Sequence, residues 1–352
     1  MPIVVYRFLV LGITTLAVAM PLSLVFYQSF LTAPFFDPSA KASFAAYSFV
    51  FADDDFWQAF WTTIAIASGM AAIAVPLGAL LAFLMVRTDV PGKKYLEPLL
   101  LIPIFVSAVV IAFGYVVAIG PVGIFSTLAK ELIGFVPWNL YSLYSLIIIA
   151  GLTHVPHVYL YSAAALRGLS TDLEEAARVS GANPFQVAIN VSLPMIMPAI
   201  LFAGVLVFFL GFELFGLPLV LGDPQDVLVL STYLYKLTNK LGVPSYQLMA
   251  VVVVVIIGVT APLVFMQRLL LRQAQRYVSV RGKGLKTQPL RLRSWRWFAY
   301  GVIVFWLLVT VAVPLFGITL RSFVVTWGEG VKLRDVLTLD HYRELLDYQP
   351  SI

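Results

Sequence analysis

Three polar side chains lie where the sequence is otherwise apolar, and they bound the chemistry open to this chain. Glu213, in GVLVFFLGFELFGLPLVLG, is the only acid well inside an apolar run. A carboxylate at that depth is costly unless it faces a cavity or a partner. Glu213 is therefore a candidate for a polar pathway, with Gly211, Gly216 and Pro218 loosening the helix around it. The alternative is a neutral or hydrogen-bonded Glu that ties two helices together. His154 and His157, in GLTHVPHVY, are three residues apart and share a face if the helix continues through Pro156. Two imidazoles and a carboxylate are a possible metal donor set, although histidines satisfied by helix packing are the plainer reading. An enzyme would need a cluster of polar groups at one depth, and only these three are available. No cysteine is present, which excludes a disulfide framework, a thiol nucleophile and Cys-based metal sites.

The elements that hold these groups must be membrane helices. The 352 residues are 61% hydrophobic and 12% charged, with mean hydropathy +0.93. About 25% charged is usual for a soluble domain. Apolar runs near 20 residues, rather than alternating ten-residue strands, predict an all-α polytopic bundle. Spans are expected near 8–30, 57–86, 98–120, 142–164, 196–221, 247–267 and 297–320. Trp57 and Trp61 read as interfacial aromatics. The first run lacks an evident A-x-A cleavage site and is expected to stay as an anchor. If the N-terminus is inside, fifteen Lys and Arg fall on the inner side and eight on the outer. The positive-inside rule therefore predicts a cytoplasmic N-terminus.

Most of the inner charge lies in a basic run over 268–296 that contains no acid. It reads as a solvated linker rather than a nucleic-acid or lipid site. Lys286-Thr287 resembles the end of a phosphate loop, but Leu285 stands where glycine is needed, so the chain itself should not bind ATP. Asp53, Asp54 and Asp55 read as a solvated outer loop.

Between the fourth and fifth spans lies STDLEEAARVSGANPFQVAINVSLPMIMP, Ser170 to Pro198. Thr171 and Glu174 have capping-box spacing, and Glu174 can pair with Arg178 at i,i+4. Gly181 supplies a left-handed stop. Asn183-Pro184 offers a second N-cap with proline at the first helical position. The second helix is expected to end at Ser192, before Leu193-Pro194. The product is a knob of two short helices inserted between membrane spans.

Glu175-Ala176-Ala177, three residues, Gly181, nine residues, then Val191-Ser192-Leu193-Pro194 resembles the EAA loop of ABC importer permeases. The only departure is Val191, where isoleucine is usual. The resemblance implies a cytoplasmic coupling loop, residues 170–195, that docks into a separate ATP-binding subunit. It assigns coupling to Glu174, Glu175, Ala176, Ala177, Gly181, Leu193 and Pro194. It also implies that ATP and Mg reside on that partner, with no cofactor in this chain. A periplasmic solute-binding protein would be the second partner and the bacterial inner membrane the location, with no nucleic acid involved.

The chain then begins to repeat. Pro314-Leu315 through Ser322-Phe323 has the offsets of Pro21-Leu22 through Ser29-Phe30, and Tyr342 and Tyr47 follow. The expected organisation is a six-helix half over 1–272, a linker over 273–295, and the start of a truncated second half over 296–352. This fused layout resembles the iron(III) permease group at Glu213 to Pro218, Val278 to Gly284 and Arg293 to Trp297. Ferric iron is the implied solute. Thiamine, aminoethylphosphonate and polyamine permeases share the layout, and a gradient-driven transporter is the alternative from another class.

Overall fold

The computed structural model describes residues 2–169, 172–239, 245–277, 289–328, 331 and 336–347. The first half of the described chain forms α1 (Pro2–Gln28), α2 (Ala45–Ala52), α3 (Asp54–Arg87), α4 (Lys93–Phe105), α5 (Ala108–Ile119), α6 (Ile124–Ile133) and α7 (Leu143–Gly168). There follow α8 (Asp172–Val179), α9 (Pro184–Val187), α10 (Leu193–Glu213), α11 (Leu230–Asn239) and α12 (Tyr246–Tyr277). The last elements are α13 (Trp295–Leu307), α14 (Val313–Ser322) and α15 (Asp340–Asp347). Among the described residues, seven helices are long and apolar enough to span a bilayer, as the composition predicts. Helices dominate because a spanning segment must satisfy every backbone polar group within itself.

Two spans depart from expectation. The third, expected unbroken over 98–120, is interrupted where Val106 and Ser107 are extended between α4 and α5. Pro103 removes an N–H from the last turn of α4 and weakens it. The fifth, expected to reach residue 221, leaves α-helical geometry after Glu213 and resumes as a wide π turn at Pro218–Gly222.

The described chain forms two compact units: Met1–Thr63 with Leu228–Phe265, and Ile64–Val227 with Met266–Ile352. In the first unit, Asp53 accepts a 2.6 Å hydrogen bond from the Tyr233 hydroxyl, and Lys236 pairs with Asp55. Burial first, and Asp53 second, hold the Tyr233 pKa above its ordinary value. Asp53 and Asp55 are thus anchors for α11 rather than free loop charges. The Thr63 hydroxyl accepts the Leu230 N–H at 2.9 Å, satisfying a donor that would otherwise be orphaned in the first turn of α11. Helix α1 is exposed along nearly its whole length within this chain.

The second unit is assembled through glycines. A Cβ on Gly69 would lie 2.5 Å from Ile147, one on Gly151 2.7 Å from Ile73, and one on Gly78 2.5 Å from Val158. These three contacts run in one direction, so α3 and α7 are parallel neighbours. Gly211 lies against Ala67 and Gly204 against Val75, so α10 runs antiparallel to α3. Small residues let membrane helices approach closely, which supplies packing where lipid offers no hydrophobic drive. Helix α14 lies parallel to α5 in the same way: a Cβ on Gly114 would come within 2.4 Å of the Pro314 carbonyl oxygen, and Gly317 faces Gly114 and Ala118. A π segment at Leu308–Ala312 precedes that crossing, and the Val309 carbonyl within it accepts the Tyr115 hydroxyl at 3.0 Å.

The sequence repeat is reproduced in three dimensions. Ser29 bonds Tyr47 at 2.8 Å, and Ser322 bonds Tyr342 at 2.7 Å. The Phe30–Tyr47 rings are 5.2 Å apart and tilted by 34°; those of Phe323–Tyr342 are 5.3 Å apart and tilted by 35°. Leu31 bridges Ala42, and Val324 bridges Leu337. Ser43 caps the first turn of α2 and Thr338 that of α15, each hydroxyl accepting the N–H two residues on. A span, a bridged loop and a short helix therefore occur twice.

Candidate functional site

The knob between α7 and α10 is built as its local chemistry dictates. Helix α8 ends at Gly181, which has φ +90°. The Ala182 N–H reaches the Ala177 carbonyl and the Gly181 N–H that of Arg178, each at 3.0 Å, which is a Schellman stop. Asn183 caps the next helix by accepting the Gln186 N–H at 2.9 Å, and Gln186 accepts the Asn183 N–H at 2.9 Å in return. This reciprocal box goes beyond the single cap expected, although the Asn-x-x-Gln spacing already encodes it. Replacing Asn183 by Ala should weaken the turn by about 1 kcal/mol. Amide exchange at Gln186 should then quicken by roughly fivefold, measured by mass spectrometry.

Two expectations about the knob are corrected. The second helix does not end before Leu193-Pro194; it runs through α9 and a π segment, Ala188–Ser192, directly into α10. Pro194 has no N–H to offer, and the widened turn, closed by the Leu193 N–H to the Ala188 carbonyl, admits its ring without ending the helix. Arg178 does not pair with Glu174 through its carboxylate. Its guanidinium is 3.9 Å from Glu175, and it reaches only the backbone carbonyl of Glu174. Thr171, the other half of the expected capping box, lies outside the described residues.

Glu174 has a different role from the one its spacing suggested. It is 3% exposed and lies 3.0 Å from the Nε of Arg87, at the end of α3. The Nε–H is not aimed along that line, so the contact is a close charge pair rather than a straight hydrogen bond. The Ser192 hydroxyl donates to the same carboxylate oxygen at 2.8 Å. With Glu174 turned inward, the outer face of the knob consists of Leu173, Glu175, Ala176, Val179 and Phe185, all exposed. Val179 is 90% and Phe185 71% exposed, which is unusual for apolar side chains on a polar loop. Ala177 and Leu193 are half-buried and Pro194 is exposed.

Neighbouring contacts hold the base of the knob. Glu97 of α4 accepts from Arg167 and, at 3.1 Å, from the Tyr159 hydroxyl, tying α4 to α7 just before the knob. Lys93 donates to the Thr88 carbonyl, and burial lowers its pKa against the opposing pull of Asp89 and Glu97. The described end of the basic linker is not a free solvated strand. The Leu290 N–H donates to the Arg87 carbonyl and the Leu292 N–H to Asp89, each at 2.8 Å, and Leu290 is buried.

The intramembrane candidates are not brought together. His154 and His157 stack at 5.3 Å with rings 19° apart, and His154 Nδ1 is 2.8 Å from the Ala150 carbonyl. The Gly151–Ile73 and Gly78–Val158 contacts set His154 level with the Pro76 turn of α3. The Gly211–Ala67 contact sets Glu213 near residue 65, which separates it along the axis by about 17 Å from His154 and about 21 Å from His157. Measured along α3 from Arg87, His154 lies about 17 Å away, His157 about 12 Å and Glu213 about 33 Å. Glu213 therefore ends α10 with an exposed side chain, rather than lying deep inside a span. Among the described residues, no group of three or more His, Cys, Asp or Glu could hold a metal.

The described residues form a helical bundle of apolar spans with a glycine-turned knob threaded into one of them. Residues 74–276, more than half of the chain, match the binding-protein-dependent transport system inner membrane component family, and the chain belongs to that family. It is the permease subunit of an ABC importer, a multi-pass inner-membrane protein and not an enzyme. It is 27% identical over 191 residues to the molybdenum transport system permease protein ModB of Escherichia coli K12, covering 54% of this chain and 82% of that one. It is also 27% identical over 264 residues to the ferric transport system permease protein FbpB of Actinobacillus pleuropneumoniae. That match covers 74% of this chain but only 36% of the relative. The fold is that of a bacterial ABC transporter that imports the polysaccharide alginate, with a TM-score of 0.61 at 20% identity over 78% of this chain and 95% of the other.

Proposed function

We propose that the α8–α10 knob is the handle by which a separate ATP-hydrolysing subunit drives this permease. The observation that carries this is its seamless join to α10: a push on α9 has no loop in which to dissipate before it reaches a membrane span, and α8 is held to α9 by the Schellman turn at Gly181. Glu175, Ala176 and Gly181, with Leu173, Val179 and Phe185 beside them, form the docking face. The small residues permit close approach and Glu175 supplies a charge-assisted contact. Leu193 and Pro194 carry the motion into α10. ATP and Mg bind the partner, and this chain needs no cofactor of its own. The knob and the N-terminus lie on the cytoplasmic side, and a periplasmic binding protein delivers solute opposite. The seventh span and its repeated loop open a second permease body, in keeping with the greater length of the FbpB relative.

The solute best supported is ferric iron. Glu213, at the outer edge and exposed, is an oxygen donor suited to a hard cation and repels an oxyanion such as molybdate, a form of the molybdenum named for ModB. His154 and His157 lie about 17 and about 21 Å further along the spans. The test is uptake into proteoliposomes holding the permease with its ATP-hydrolysing subunit, offered binding protein charged with ferric iron or with molybdate. ATP-dependent uptake of iron is expected, falling at least about tenfold in Glu213→Gln. Uptake of molybdate alone would overturn the assignment of solute, and uptake driven by an ion gradient without ATP would overturn the class of transporter.

A further inference from the structure

Glu174 lies between Leu173 and Glu175 of the docking face yet points away from it, and three separate segments converge on its carboxylate. Arg87 brings the end of α3, Ser192 brings the turn that begins α10, and Glu174 itself belongs to α8. A guanidinium nitrogen of Arg87 also lies 3.4 Å from the Leu169 carbonyl, at the exit of α7. Both charged side chains are 4% exposed. A buried ion pair is seldom more stabilising than an apolar contact of the same volume, so stability alone gives no reason for charge here. Charge does fix one geometry: a carboxylate that already accepts from Ser192 has a single setting in which it also faces Arg87.

We propose that Arg87 and Glu174 are positioning residues that lock α8 to α3 and α10, so that movement imposed on the knob is delivered to both spans. Arg87 does this with its side chain while its backbone carbonyl holds Leu290, and Asp89 holds Leu292. The same node therefore grips the segment that leads into α13, and through α14 it reaches α5. Glu175 engages the motor; Glu174 engages the spans. This rests on the knob being the ATPase handle.

The test uses the full chain, co-expressed with its ATP-hydrolysing subunit and assayed in proteoliposomes with charged binding protein. Glu174→Gln keeps an oxygen for Ser192 and removes the charge. It should leave the ATP-hydrolysing subunit bound at wild-type stoichiometry, with hydrolysis continuing, while solute moved per ATP falls at least about tenfold. The double replacement Arg87→Met with Glu174→Leu removes both charges without leaving one unpaired, and should insert and melt like wild type yet remain uncoupled. A purely structural pair predicts the opposite, recovery of transport with recovery of stability. Wild-type transport per ATP in either variant overturns the proposal. Should Glu174→Gln fail to insert, Ser192→Ala removes only one hydroxyl donor and is read in the same way, and an unchanged ratio again overturns it. Failure of the wild-type chain to retain any ATP-hydrolysing subunit removes the handle reading and the lock with it, and that result is distinct from a variant that binds the subunit and transports normally.

Discussion

Replacing Gly181 by Asp should lower uptake by about a hundredfold or more while the chain still inserts and remains folded. A Cβ at this position meets nothing within 4 Å, so there is no clash to resolve. The penalty is confined to the backbone, where φ +90° costs an L-residue about 1–2 kcal/mol. That is too little to unfold a helical bundle of this size. It is enough to rotate the turn that aims Val179 and Phe185, and it sets a new negative charge among exposed apolar contacts. Gly181→Asn should be the mildest replacement because Asn tolerates the left-handed region. Uptake measured alongside the amount of protein in the membrane separates the two effects. Near-normal uptake by the Asp variant would remove the knob from the transport cycle.

The second large effect is expected at Gly114. A valine there would drive its Cβ to 2.4 Å from the Pro314 carbonyl oxygen and 2.7 Å from its carbon. These are backbone atoms, and Gly317 holds the reverse contact at 2.6 Å from the Gly114 carbonyl, so neither helix can yield locally. The two spans must separate, at a cost of about 3 kcal/mol. The unfolding midpoint in detergent should fall by several degrees. Gly301→Val, on the span that carries Pro314 and Gly317 but facing open space, provides the control and should change it little. Equal effects at the two positions would mean that the crossing does not hold the seventh span in place.

Much of this architecture is legible in the sequence because its determinants are local. Apolar run length reveals the spans, Gly181 the stop, Asn183 the restart, and the recurring Ser-Phe and Tyr the duplicated loop. What could not be read depends on partners far along the chain. Arg178 is four residues from Glu174 and looked like its counter-ion, whereas Arg87 is the true one and is brought to it only by the packing of α3 beside α7. Proline was likewise an incomplete guide. Its missing N–H ends a helix only if the chain cannot widen a turn, and at Pro194 it does widen. The depth of Glu213 depended on where α10 contacts α3, which no property of the residue discloses. The grip on Leu290 was hidden because a basic run is ordinarily left to solvent.

The opposed and matching directions of the glycine contacts have a practical corollary. Helices α3 and α7 descend together, α10 ascends against α3, and α5 and α14 share a heading. Sidedness established at any one loop of this unit therefore carries to the rest by alternation along the chain. Because the natural sequence contains no cysteine, a single thiol introduced at exposed Ala176 would be the only alkylation target. Its reaction with an impermeant maleimide, in right-side-out or inverted vesicles, would tell which compartment each of these helix ends meets.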